Sequence, residues 1–148
     1  MQRILFICHG NICRSTMAQS VMTHLVHEAG RDSEFQIDSA ATSREEIGAG
    51  PHRGTVAKLC EVGIPVVSHR ARQITRTEYD AWDHIVYMDR ENAAGLRRIL
   101  GADPQDKVSR LLDWTDSPRD VADPWYTGDF DATYRDVLEG CTALLEQL

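Results

Sequence analysis

The chain has 148 residues, enough for one well-filled core and too few for two ordinary enzyme domains. Asp and Glu outnumber Lys and Arg by 23 to 16, a formal charge of -7, which argues against nucleic-acid binding and makes any anion site a local construction. No stretch is apolar enough for membrane insertion, no secretory leader pattern opens the chain, and four scattered cysteines suit a reduced, cytoplasmic setting.

Residues 2 to 7 read as a buried strand, and residues 15 to 29 as a helix with Met17, Val21, Met22, Leu25 and Val26 on its core face. Gly30 ends that helix. Between strand and helix lie Cys8, His9, Gly10, Asn11, Ile12, Cys13, Arg14 and Ser15. A strand running into a helix start aims several backbone N–H groups at one small volume, and the helix dipole makes that volume attractive to an anion. Cys8 at its edge is a candidate thiolate nucleophile, and Arg14 a candidate two-oxygen clamp. Gly10 marks a loop position for positive φ or close approach, Asn11 can brace irregular backbone, and Ser15 can open the helix and donate to a thiolate.

Phe35 and Ile37, then Ala40 and Ala41, read as the second strand and its exit, with Ser39 directly after the strand. A polar connection over residues 42 to 54 leads to a helix holding Val56, Leu59 and Cys60 and ending near Gly63. His52 and Cys60 gain no role from spacing. The segment His69 to Thr75 reads as a solvated basic patch, followed by a short helix near residues 77 to 82 and a third strand from His84 to Tyr87. Asp89 is placed to cap the next helix, which buries Leu96, Ile99 and Leu100. Val108, Leu111 and Leu112 form a short fourth strand, and Phe130 to Leu148 a long last helix. Strands alternating with helices predict one α/β domain over residues 1 to 148, in three layers, with a four-stranded parallel sheet flanked by helices. Ligands of such sheets bind beyond the carboxyl ends of the strands, where Cys8 lies.

The second chemical signal is DSPRDVADPWYTGD, residues 116 to 129. An Asp-Pro pair is by itself a turn former. Opposite a thiolate and an anion cradle, Asp123 gains the task of proton donor to a leaving oxygen, while Trp125 and Tyr126 offer walls for an aryl group.

CHGNICRST, with DPWY near the C-terminus, resembles the signature of the low-molecular-weight protein tyrosine phosphatases, and the resemblance spans essentially the whole chain. It implies hydrolysis of phosphotyrosine in proteins or peptides through a phosphocysteine on Cys8, with Arg14 and the loop from His9 to Ser15 on the phosphate and Asp123 as acid and base. Inorganic phosphate is the product. Arg14 and the backbone donors meet the oxygen charge, so no metal or cofactor is expected. Ser39 is similar to the family's serine that supports the loop through Asn11, and Asp89 to a residue supporting the catalytic end. Cys13 resembles a partner that protects Cys8 as a reversible disulfide; the chain is expected to be a monomer, with room for weak dimerisation. Ile12 is the apolar loop residue of phosphotyrosine-directed members. Two positions depart from the pattern: Thr16 replaces a common proline, and Glu45 takes the place of an aromatic rim residue. Phosphoarginine phosphatase, arsenate reductase and a noncatalytic phosphate-binding module remain as alternatives.

Overall fold

In the computed structural model, which describes residues 1–148, β1 (Gln2–Cys8), β2 (Phe35–Ala41), β3 (His84–Tyr87) and β4 (Val108–Arg110) form one parallel sheet in the order β2-β1-β3-β4. The connections carry α1 (Arg14–Glu28), α2 (Arg53–Glu61) and α3 (Arg90–Leu100), and the chain ends with the single turn α4 (Pro124–Thr127) and α5 (Phe130–Glu146). No helix is long and apolar enough to cross a membrane.

The unbroken apolar run of β1 makes it a central strand, because both of its faces are covered. Ile4, Leu5, Phe6 and Ile7 are all fully buried. Strand alternation sends Ile4, Phe6 and Cys8 to one face, where they join Met17 and Val21 of α1, Leu59 of α2 and Val137, Cys141 and Leu144 of α5. Leu5 and Ile7 face the other way, onto Trp82 and onto Leu96 and Leu100 of α3. Each such side chain contributes roughly 1.5–3 kcal/mol by leaving water. That burial fixes the register of β1 and with it the position of Cys8.

Two expected elements differ. The fourth strand ends at Arg110, and Leu111 and Leu112 lie in a short 3-10 turn, residues Leu111–Trp114. Adjacent strand residues face opposite sides, whereas both of these leucines are fully buried in the same cluster, which a turn allows and an edge strand does not. Gly140 makes the close packing possible, since a Cβ there would come within 2.4 Å of Leu111. The short helix expected near residues 77 to 82 is a 3-10 helix, Arg76–Ala81, opened by a capping box from Thr75 and Glu78.

Candidate active site

The carboxyl end of β1 pairs with that of β2, Cys8 opposite Ala41, and the following chain turns back immediately. The carbonyls of Cys8 and His9 accept from the N–H groups of Thr42 and Ser43, each at 3.1 Å, so the start of the loop is tied to the exit of β2. Positive φ falls on Asn11, at 59°, rather than on Gly10. Asn tolerates this conformation when its side chain is held, and here it is wholly buried. Its Nδ2 donates to Ser15 Oγ at 2.8 Å and Ser39 Oγ at 2.9 Å, and its Oδ1 accepts from His69 Nε2 at 2.7 Å and the Arg72 N–H at 3.2 Å. Gly10 serves a close approach instead: a Cβ there would meet Glu46 Cγ at 3.3 Å.

Ser39 is thus one of the partners of Asn11, and it in turn donates to Gln19 Oε1 at 2.6 Å. His69 is a correction. It is not part of a solvated patch; its side chain is 8% exposed, and Asp38 lies 3.5 Å from Nδ1. Burial pushes its pKa down from the ordinary value against the pull of Asp38, and the neutral ring donates from Nε2 to Asn11.

Helix α1 starts at Arg14 with no side-chain cap. Ser15 is turned to Cys8 instead, Oγ to Sγ at 3.0 Å, so its hydroxyl serves the sulfur and not the helix end. Thr16 secures the turn by donating to the Ile12 and Cys13 carbonyls at 2.9 and 3.1 Å, which does with hydrogen bonds what proline does with a fixed φ. No backbone hydrogen bond of the loop begins at the N–H of Gly10, Asn11, Ile12 or Cys13, leaving these donors for an anion.

The Arg14 guanidinium is buried and held by three acceptors: Asp89 Oδ2 at 2.7 Å, the Val121 carbonyl at 3.2 Å and Asp123 Oδ2 at 3.4 Å. Burial works against its charge, but Cys8, Asp89 and Asp123 outweigh that cost and its pKa is raised. Asp89 does cap α3, accepting from the Asn92 N–H at 2.9 Å, and its other oxygen carries the Arg14 contact. Asp123 caps α4 by accepting from the Trp125 N–H at 3.0 Å. Cys13 differs sharply from a nucleophile: burial, then the proximity of Cys8 and Asp123, pushes its thiol up to about 12. All four cysteines are free, with Cys60 exposed and Cys141 buried in the core.

These groups close one cavity of about 250 Å³. Cys8, Cys13 and Arg14 line it together with Gly10 and Ile12, Asp123 reaches in from the opposite loop, and Trp125 and Tyr126 stand at the opening, 63% and 81% exposed. The rim is acidic. Glu45 lines it, paired with His9 Nε2 at 2.9 Å, and Glu46 and Glu91 line it too, though sequence spacing gave no sign of either. His52 was also missed. It caps α2 by accepting from the Gly54 N–H at 2.9 Å, stacks on Phe130 and meets the edge of Trp125. Its backbone N–H donates to the Ile12 carbonyl at 2.7 Å, which links the two loops of the site.

Residues 3–148 match the family described as low molecular weight phosphotyrosine protein phosphatase. The low molecular weight protein-tyrosine-phosphatase YfkJ of Bacillus subtilis is 37% identical over all of this chain and 96% of its own length. Its crystal structure superposes with a TM-score of 0.95 over 99% of this chain and 94% of that one. The human low molecular weight phosphotyrosine protein phosphatase is 36% identical over 97% of this chain and 94% of its own. A drosophila arginine phosphatase, at 27% identity, has the same fold with a TM-score of 0.88 over 99% of this chain and 97% of that one.

Proposed function

Because the chain belongs to the low-molecular-weight phosphotyrosine protein phosphatase family, we infer that it hydrolyses phosphotyrosine in proteins through a covalent phosphocysteine. The observation that carries this reading is the meeting of Cys8, Arg14 and Asp123 in one cavity whose opening is aromatic. The phosphate dianion takes up the loop N–H groups and the planar fork of Arg14. The Cys8 thiolate, with Ser15 Oγ at 3.0 Å, attacks phosphorus as the bond to the tyrosine oxygen breaks. Protonated Asp123 delivers its proton to that oxygen, and tyrosine leaves neutral. Asp123, now a carboxylate, takes a proton from the water that attacks phosphocysteine; inorganic phosphate departs and the thiolate returns. This cycle needs Cys8 reduced, so a reducing, cytoplasmic setting belongs to the same proposal.

Ile12, 9% exposed in the loop, and the ring of Trp125 support an aryl substrate over a guanidino one. Rapid-quench labelling with a phosphotyrosine peptide tests the reading, with kcat/KM measured beside matched phosphoserine and phosphoarginine peptides. Phosphate is expected on Cys8 in the parent and nowhere in Cys8→Ser, with phosphotyrosine the fastest substrate. Normal phosphoenzyme in Cys8→Ser removes the nucleophile assignment, and a phosphoarginine preference overturns the substrate class.

A further inference from the structure

Asp123 has to reach the bridging oxygen of a substrate lying on Cys8, yet it sits on a loop whose nearest upstream element is the short 3-10 turn Leu111–Trp114. What fixes the loop is the peptide unit just before it. Val121 is held from the sheet side: its N–H donates to the Met88 carbonyl at 3.0 Å and its own carbonyl accepts from Arg14. Ala122 is held from the helix side. Its N–H donates to Asp136 Oδ2 at 3.0 Å, and its carbonyl accepts from Thr133 Oγ1 at 2.9 Å. Thr133 and Asp136 are three residues apart on one face of α5, so a single helix supplies both a donor and an acceptor to one residue.

Neither side chain is an ordinary surface group. Thr133 is fully buried, and Asp136 is 16% exposed with its remaining oxygen paired to Arg119 at 2.8 Å. Helix α5 is anchored to the body by Val137, Cys141 and Leu144, so its docking does not depend on these two polar contacts. Their effect falls on where residue 122, and hence residue 123, stands. We propose that Thr133 and Asp136 are positioning residues for proton transfer by Asp123: together they set the acid loop against the phosphate cradle, so that the carboxyl group meets the leaving oxygen. The inference rests on the reading of Asp123 as general acid and base.

The test is kcat/KM over a series of aryl phosphates running from nitrophenols to unsubstituted phenol, because good leaving groups depart with little protonation and poor ones need it. Asp136→Ala and Thr133→Val are expected to lower kcat/KM for phenyl phosphate about ten- to hundredfold, the scale of misplacing a catalytic group, and much less for nitrophenyl phosphates. Asp136→Asn, which keeps an acceptor for the Ala122 N–H, and Thr133→Ser, which keeps the donor, are expected to restore the parent pattern. In an Asp123→Asn background the same substitutions should add nothing. Equal losses at every leaving group, or losses that add to those of Asp123→Asn, would overturn the proposal. If Asp123→Asn itself shows no leaving-group dependence, the acid assignment fails instead. Should Asp136→Ala not fold, Thr133→Val at the other end of the residue carries the test.

Discussion

Arg14 and Asp89 are joined at 2.7 Å, through an aspartate that spends its other oxygen on the N-terminus of α3. The phosphate clamp is therefore oriented from a helix end across the sheet, before any substrate arrives. Asp89→Asn leaves an oxygen to cap α3 but removes the charge that turns the guanidinium. A charge-assisted hydrogen bond is worth about 1.5–3 kcal/mol, so kcat/KM for a phosphotyrosine peptide should fall about ten- to hundredfold while the thermal midpoint moves little. Unchanged kinetics would show that the Val121 carbonyl and Asp123 orient Arg14 without help.

Arg14→Lys probes the clamp itself. An ammonium cannot present two parallel donors, and in this site it would also lose the simultaneous reach to Asp89, Val121 and Asp123. Activity should fall by at least about a hundredfold, in line with the loss of a preorganised transition-state donor. Activity within a few-fold of the parent, measured on the same peptide, would mean that point charge suffices.

Cys13 lies one residue before Arg14, and its thiol is pushed up to about 12 by burial and by Cys8. It stays protonated at neutral pH, so it should resist alkylation. Iodoacetamide is expected to label Cys8 and the exposed Cys60 near pH 7 and to spare Cys13, with inorganic phosphate protecting Cys8 only. Peptide mass spectrometry after brief exposure checks this; early label on Cys13 would contradict its burial.

His69 makes stability depend on pH. Its folded pKa lies below the ordinary 6.5, so the unfolded chain binds the extra proton first. The stabilising contribution is complete above about pH 6.5 and is lost as the pH falls toward the folded value. Urea unfolding of the parent and His69→Gln between pH 5 and 7.5 should show a shallower slope in the variant, whose amide can still donate to Asn11. His84 is shifted the same way in both proteins and cancels from the difference. Parallel curves would mean that His69 stays neutral without cost.

Much of this was readable from the chain because it is written locally. The run Ile4 to Ile7 dictates a buried central strand, the residues after it dictate a turn into a helix, and Asp89 three residues before Asn92 reads as a cap. What escaped is held by side chains far apart in sequence. His69 reaches Asn11 across 58 residues and Asp136 reaches Ala122 across 14, and no periodicity marks either pair. His69 stands beside Arg70 and Arg72, so composition suggested solvent where the fold supplied a buried acceptor. Leu111 and Leu112 follow Val108 closely enough to read as one strand, and only packing against α5 shows that the chain bends there. Asn11 took the left-handed conformation that glycine usually fills because four hydrogen bonds hold its amide, a network invisible before the strands are assembled.

The acidic rim bears on which phosphotyrosines are taken. Glu45, Glu46 and Glu91 come from two different parts of the chain and all line the opening, where His9 pairs with Glu45 alone. Glu45 is 68% exposed in its side chain, so salt screens it and its effect on a bound peptide is modest. A like charge in the peptide should nevertheless slow capture more than it changes chemistry, because the phosphate itself already approaches through a negative field. Peptides with basic or neutral flanks are expected to exceed acidic ones in kcat/KM by a few-fold at low salt, with kcat nearly constant and the difference shrinking as salt rises. Glu45→Gln should narrow the gap without altering the neutral peptide. Glu45→Tyr should narrow it equally and also lower KM for every peptide, since an aromatic on the rim of the cavity that Trp125 and Tyr126 also line adds ring contact that a glutamate lacks. Flank preferences identical in all three proteins would make Glu45 a bystander and leave the rim's influence to Glu46 and Glu91.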